Sequence, residues 1–164
     1  MAVREICRLP GDLVLRQKAK RVPTIDGSIQ SLIDDMVATM QQQGGVGLAA
    51  PQIGVSLRVV VIQLPDEELI TLVNPEIVKR SGEREVVEGC LSVPGYAADI
   101  KRSVSVTVKG WDRHGKPVRI KATGLKAQAL EHELDHLNGV LYVDHIESPD
   151  RLHRVGTEAQ AEGM

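Results

Sequence analysis

Ile29, Leu32, Ile33, Met36, Val37 and Met40 recur with alternating gaps of three and one, the signature of a helix with one apolar face. The spacing predicts a helix over Ser28 to Gln43, capped at its start by Asp26 or Ser28 and stopped by Gly44-Gly45. Its role reads as packing. Leu57 to Leu64 is a continuous β-branched run and predicts a strand buried on both faces. A further strand is expected over Leu69 to Val73, ended by Asn74-Pro75, with short extended pieces at Ile77 to Lys79 and Arg84 to Val87. Val104, Val106 and Val108 alternate with polar residues, and Val118, Ile120 and Ala122 do the same. Asp112 to Lys116 between them reads as a hairpin turn. The period becomes helical again from Gly124 to Gly139, with Asn138-Gly139 as the closing cap. Leu141 to Val143 predicts a short strand, and the polar tail, residues 148 to 164, is expected to fray. Residues 1 to 27 are broken by Pro10-Gly11 and Pro23 and predict no long element. Strands followed by a helix, with little β-α-β alternation, indicate an α+β fold.

The second helix changes the picture from packing to chemistry. It contains Glu131-His132-Glu133-Leu134-Asp135-His136, an H-E-x-x-H arrangement. Residues four apart on a helix lie about 40° apart around its axis, so His132 and His136 can offer two imidazole nitrogens to one metal ion. Glu133 projects to the flank, where its carboxylate can reach a water on that metal without being a ligand. Leu130, Leu134 and Leu137 form one apolar stripe, while Leu125 and Ala129 share the histidine side. Both sides therefore face an interior, where histidines need partners. A hydrolytic metal site takes three protein ligands and keeps one position open. Cys90, in Glu88-Gly89-Cys90-Leu91-Ser92, is the best third ligand, placed at a turn before Val93-Pro94-Gly95. A nucleophilic Cys90 with a histidine base is the competing reading, but it leaves the second histidine and Glu133 without purpose. Cys7 has no ligand pattern around it. Gly45 to Gln52 is a loop of small residues; no Lys-Ser/Thr pair follows it, so a phosphate cradle is not indicated, and a tight turn is.

Composition narrows the class. At 164 residues the chain predicts one catalytic domain spanning residues 1 to 164. Lys and Arg total 20 against 22 Asp and Glu, a formal charge of −2, which predicts no basic patch for nucleic acid and no polybasic membrane anchor. One Trp, two Tyr and no Phe leave the core to aliphatic residues. Two cysteines give no disulfide framework and suggest a reducing compartment. Met1 to Glu5 lacks the apolar core of a signal peptide, and no apolar run reaches membrane length. A soluble, cytoplasmic protein is expected.

Three separated segments, Gly45 to Gln52, Glu88 to Ser92 and His132 to His136, resemble the motifs of the peptide deformylase family in order and spacing, over a region from about residue 28 to 146. The resemblance implies an α+β domain in which antiparallel strands pack around the central motif helix. It implies Cys90, His132 and His136 as metal ligands and Glu133 as general base and then acid. The Gln52 amide and the Leu91 backbone N–H would be the oxyanion donors. Val46, Val86 and Glu88 would surround a methionine side chain, with Leu125 and Ala129 completing its pocket. Backbone at Val46, Gly47 and Gly89 would hold the peptide in extended form. The implied reaction removes the formyl group from formyl-methionine at the start of new polypeptides. The implied metal is Fe2+, with Zn2+, Ni2+ and Co2+ as alternatives that affinity order alone does not exclude. The implied partners are N-formylmethionyl nascent peptides and the ribosome, with no membrane and no nucleic-acid site. Two departures stand out: Glu131 where many members carry Gln, and a short mixed-charge tail where many continue into a long basic helix. Arg102 could pair with Glu88 or Asp99, or stand solvated at the surface. An H-E-x-x-H endopeptidase and a non-catalytic metal-binding relative are the alternative functions. In the former the third ligand usually lies downstream, whereas Cys90 lies upstream.

Overall fold

The α+β architecture is present in the computed structural model, which describes residues 1–155. The first long element is α1, Gly27–Gln43. Asp26 Oδ1 accepts from the Ser28 and Ile29 backbone N–H groups at 3.0 and 3.2 Å, satisfying donors that a helix start leaves open. Gly44, at φ 68°, ends it in the left-handed conformation.

Strands β1 (Gly47–Ala49), β2 (Val59–Ile62), β3 (Ile70–Ser81), β4 (Arg84–Cys90), β5 (Val93–Arg102), β6 (Ser105–Trp111) and β7 (Pro117–Thr123) precede the motif helix α2, Gly124–Leu137. A last strand, β8, covers Leu152–Arg154. They form a five-stranded sheet in the order β1-β2-β3-β6-β7 and a three-stranded sheet in the order β4-β5-β8, with every pairing antiparallel. The β-branched run of β2 explains itself here. Val59 and Val61 pack toward α1, with Ile33, Met36 and Val73, while Val60 and Ile62 pack toward α2, with Leu72, Leu130 and Val108. Each fully buried Val or Ile contributes about 1.5–3 kcal/mol, so the sandwiched strand is a main source of cohesion.

Several elements differ from the sequence reading. Pro75 does not end β3: the register shifts between Val73 and Glu76, and the irregularity absorbs the proline. Asn74 sits there at φ 51°, and its side chain bonds both ways to Val22, accepting from N at 2.8 Å and donating to O at 2.9 Å. The small-residue loop contains β1, paired to β2, and then a 3-10 turn, Ala50–Ile53. Val93-Pro94-Gly95 opens β5 rather than closing a loop, and β4 runs on to Cys90. Leu141 to Val143 is not a strand; Tyr142–His145 is a 3-10 turn, held by Asp144 accepting from Leu141 N at 2.9 Å. Nor does the chain fray at 148: Leu152–Arg154 pairs with Tyr96 to Ala98 of β5, and the rest of the expected frayed tail lies outside the described residues.

Asn74→Ala should lower unfolding free energy by about 1–3 kcal/mol, combining two lost hydrogen bonds with a left-handed β-carbon. Asn74→Gly should recover only the backbone part of that loss. Denaturant midpoints for the two variants check this; an unchanged midpoint in both would mean that the Val22 tether is dispensable.

Candidate metal centre

The helical period of α2 places His132 and His136 on one side, and both rings are buried. Their Nε2 atoms lie 3.2 Å apart, and Cys90 Sγ, delivered by the end of β4, is 3.4 Å from His136 Nε2. All three ligating atoms fall within 4.8 Å of one another, and all three residues are buried. Lone pairs so crowded repel unless a cation lies among them, and a thiolate with two imidazoles suits a borderline transition metal. The donor set fits one divalent ion.

What surrounds the ligands fixes their state. His132 Nδ1 donates to Glu88 Oε2 at 2.6 Å, which leaves Nε2 free to ligate. Glu88 is in turn gripped by Arg102, through Nε at 3.0 Å and Nη2 at 2.6 Å. Burial would raise the Glu88 carboxyl, but the His132 imidazole and the Arg102 guanidinium outweigh it and hold the group down to about 2. Arg102 Nη1 also donates to Asp135 Oδ2 at 2.7 Å, and His145 Nε2 lies 2.9 Å from the same oxygen. A line of charge thus runs from a metal ligand to the surface. Glu88 is therefore held from both sides, its carboxylate turned to His132 and Arg102. Arg102, only 5% exposed, is a buried arginine with Glu88 and Asp135, while Asp99 lies beside His153.

Around the ligands stand the other groups. Gln52 Oε1 accepts from Ala49 N at 2.9 Å, which turns its Nε2 toward Ser92 Oγ (3.2 Å) and Cys90 Sγ (3.7 Å). The Ser92 backbone N–H points at the same sulfur, 3.5 Å away. Both carboxylate oxygens of Glu133 are buried without a hydrogen-bond partner, and burial pushes this carboxyl up to about 7. The close approach of β1 to α2 explains the glycine at 47: a β-carbon there would sit 2.6 Å from Glu133 Oε2. Ala129 is buried beside the histidines, and Val46 packs against the same core. Val86 lies with Cys90, Ile100 and Tyr142 in a third cluster. Leu91 and Gly89, flanking Cys90, are half-buried, and Leu125 is 44% exposed at the start of α2, a rim position rather than a pocket floor.

Asp135 and Ser92 were not singled out by sequence reasoning, although both lie inside the quoted motifs. Glu131 is a related case. It is buried and accepts from Ser103 N at 2.7 Å, Ser103 Oγ at 2.9 Å and Arg80 Nε at 3.1 Å, tying α2 to the β5–β6 connection.

Comparison with known proteins follows the same lines. Residues 3–152 match the family model described as polypeptide deformylase. A peptide deformylase of Dehalococcoides mccartyi strain CBDB1 is 61% identical over 159 residues, 96% of this chain and 95% of that protein. A crystal structure of a Legionella pneumophila peptide deformylase superposes with a TM-score of 0.87 at 54% identity, covering 92% of this chain and 89% of the other. The Met-Ala-Ser-bound structure of a class I type b peptide deformylase from Acinetobacter baumannii gives 0.84 at 34% identity, over 88% and 99% of the two chains.

Glu88→Gln keeps an acceptor for His132 but gives up the charge that faces Arg102. Metal affinity should fall about 10–100-fold, measured by competition with a chelator. Equal affinity in the two proteins would show that Glu88 does not tune the ligand.

Proposed function

The chain belongs to the polypeptide deformylase family, and from that premise we propose how its own residues perform the reaction. It is a metal-dependent hydrolase that removes N-formyl groups. The observation that carries the residue assignment is the Glu133 carboxylate, buried, unpartnered and flanking a three-ligand centre. A divalent metal held by Cys90, His132 and His136 would supply Lewis acidity there, making water acidic near neutral pH. Glu133 takes a proton from the attacking water as its oxygen bonds to the formyl carbon. As the C–N bond breaks, Glu133 returns that proton to the departing nitrogen, leaving formate and a free amine. Burial raises the Glu133 carboxyl from its ordinary range, which favours its holding a proton between the two steps. Charge developing on the formyl oxygen is received by the Gln52 amide, whose orientation Ala49 N–H sets, and by the Leu91 backbone N–H.

The substrate class is N-formylmethionyl peptides. In support, the Acinetobacter baumannii relative was solved with Met-Ala-Ser bound. Val46, Val86 and Ala129 supply apolar surface around the centre and Leu125 its rim, which suits an unbranched thioether. β1 and β4 are the edge strands of their sheets, so backbone at Val46, Gly47 and Gly89 can bond an extended peptide as an added strand. Fe2+ is the metal this reading assigns, with Zn2+ as the alternative. It also assigns cytoplasmic action on nascent chains at the ribosome. Among the described residues no helix is long and apolar enough to cross a membrane.

Protein purified without oxygen and loaded with Fe2+ should release formate from a short formyl-methionyl peptide. Glu133→Ala should retain its metal and lose about 10²–10⁴ in kcat. Gln52→Ala should lose about 10²–10³, and Gly47→Ala, which displaces Glu133, about 10² with metal content unchanged. Full activity in Glu133→Ala would remove it as the base, and silence from metallated wild type would sink the reading.

A further inference from the structure

The five-stranded sheet is covered unevenly. α2 lies on one face, but on the other α1 packs only over β1, β2 and the start of β3, through Leu48, Val59, Val61 and Val73. Beyond it, among the described residues, no helix or strand lies over the second face, whose long side chains leave Thr107 8% exposed. Val106, Val108 and Ala122 point into the α2 core, so the alternation of β6 and β7 turns Lys109, Trp111, Arg119 and Lys121 to the uncovered side. The register sets Lys109 between Arg119 and Glu76, and Thr107 between Lys121 and Lys79. The Arg21 guanidinium lies 5.6 Å from the centroid of the Trp111 ring. A groove of about 540 Å³ runs here, lined by Arg21, Glu76, Lys109, Trp111 and Arg119 among others.

Two features give this surface its character. Arg21, Lys79, Lys109, Arg119 and Lys121 form no ion pair among the described residues; Arg8, Lys18, Lys20, Arg58, Arg84, Lys116 and Arg154 form none either, but the register gathers these five around one face. Lys109 and Arg119 are also direct cross-strand neighbours; Glu76, on the other side of Lys109, offsets part of that like-charge cost, and a bound anion would relieve the rest. Trp111, 36% exposed, offers a ring to stack upon. The formal charge of −2 counts the whole chain, and the register gathers these cations on one face beside Glu76.

We infer that this open half-face is a docking surface for single-stranded RNA. Phosphates would lie over Lys79, Lys109, Arg119 and Lys121, with a base against Trp111. Unstacked bases suit a flat sheet. A bilayer would call for several protruding apolar side chains, whereas the register-aligned cations of this face are joined only by Trp111 and its cross-strand partner Pro117 at one end. The surface lies across the sheet from α2, so RNA bound there would leave the metal centre unobstructed.

Trp111 is the only tryptophan in the chain, so its fluorescence reports this surface without a label. The metal-loaded full chain is titrated with a mixed-sequence RNA of about 20 nucleotides, and separately with vesicles containing phosphatidylserine. RNA should change the Trp111 emission, with affinity falling roughly fiftyfold between about 50 and about 200 mM salt, as four released counterions require. The combined variant Lys109→Glu, Arg119→Glu and Lys121→Glu should bind at least about tenfold more weakly, with unchanged melting and unchanged formate release from a free peptide. Should that variant melt early, Arg119→Gln and Lys121→Gln taken singly should each reduce the salt slope by about 0.7. No response to RNA, undiminished binding by the variants, or a stronger response to vesicles than to RNA would overturn the inference. The RNA readout does not use the activity: an inactive chain that binds RNA in this way would sink the functional reading alone.

Discussion

Two imidazole nitrogens and a sulfur lie within 4.8 Å of one another on buried side chains, an arrangement that is unfavourable until a cation joins it. Much of the surrounding fold serves that one constraint. α2 must be held on the sheet so that its histidines do not retreat, which Leu130, Leu134 and Leu137 achieve from the opposite stripe. β4 must end where its last side chain meets the helix, and the register shift at Gly89 and Cys90 makes that end. β1 must come close without intruding, which only the bare α-carbon of Gly47 permits.

The second organising feature is the buried line Glu88–Arg102–Asp135. Taking an arginine and a carboxylate out of water costs several kcal/mol per ion, and the mutual attraction offsets this only with good geometry and further hydrogen bonds. Here the geometry is bidentate, Asp135 occupies the remaining arm, and His132 takes the other side of Glu88. Such a pair is weak evidence for stability. Its evident effect is on His132, whose tautomer and ring direction follow from a carboxylate that stays ionised.

How much of this the sequence discloses depends on whether the signal is local. The ligand pair is legible because four residues on one helix bring both rings together whatever the rest of the chain does. The α1 cap and stop are legible for the same reason, each lying within a few residues of what it satisfies. β5 is hidden because Pro94 and Gly95 mimic a turn and because its hydrogen-bond partner, β4, explains its conformation better than its own residues do. The bonds of Glu88 to Arg102 and His132 are not legible locally, because these partners are 14 and 44 positions away. The cationic face is invisible to a charge count, since it arises from the register of three strands.

The central claim is a centre of one sulfur and two imidazoles with a position left open. X-ray absorption at the metal edge of the loaded protein tests it most directly. The account predicts one sulfur at about 2.3 Å, two histidine nitrogens near about 2.0 Å and a light-atom ligand exchangeable with solvent, for a zinc-substituted sample. Loss of the sulfur shell in Cys90→Ser would confirm its source. A second sulfur in the wild type, or a fourth protein ligand closing the shell, would contradict the account and return the chain to a structural metal site.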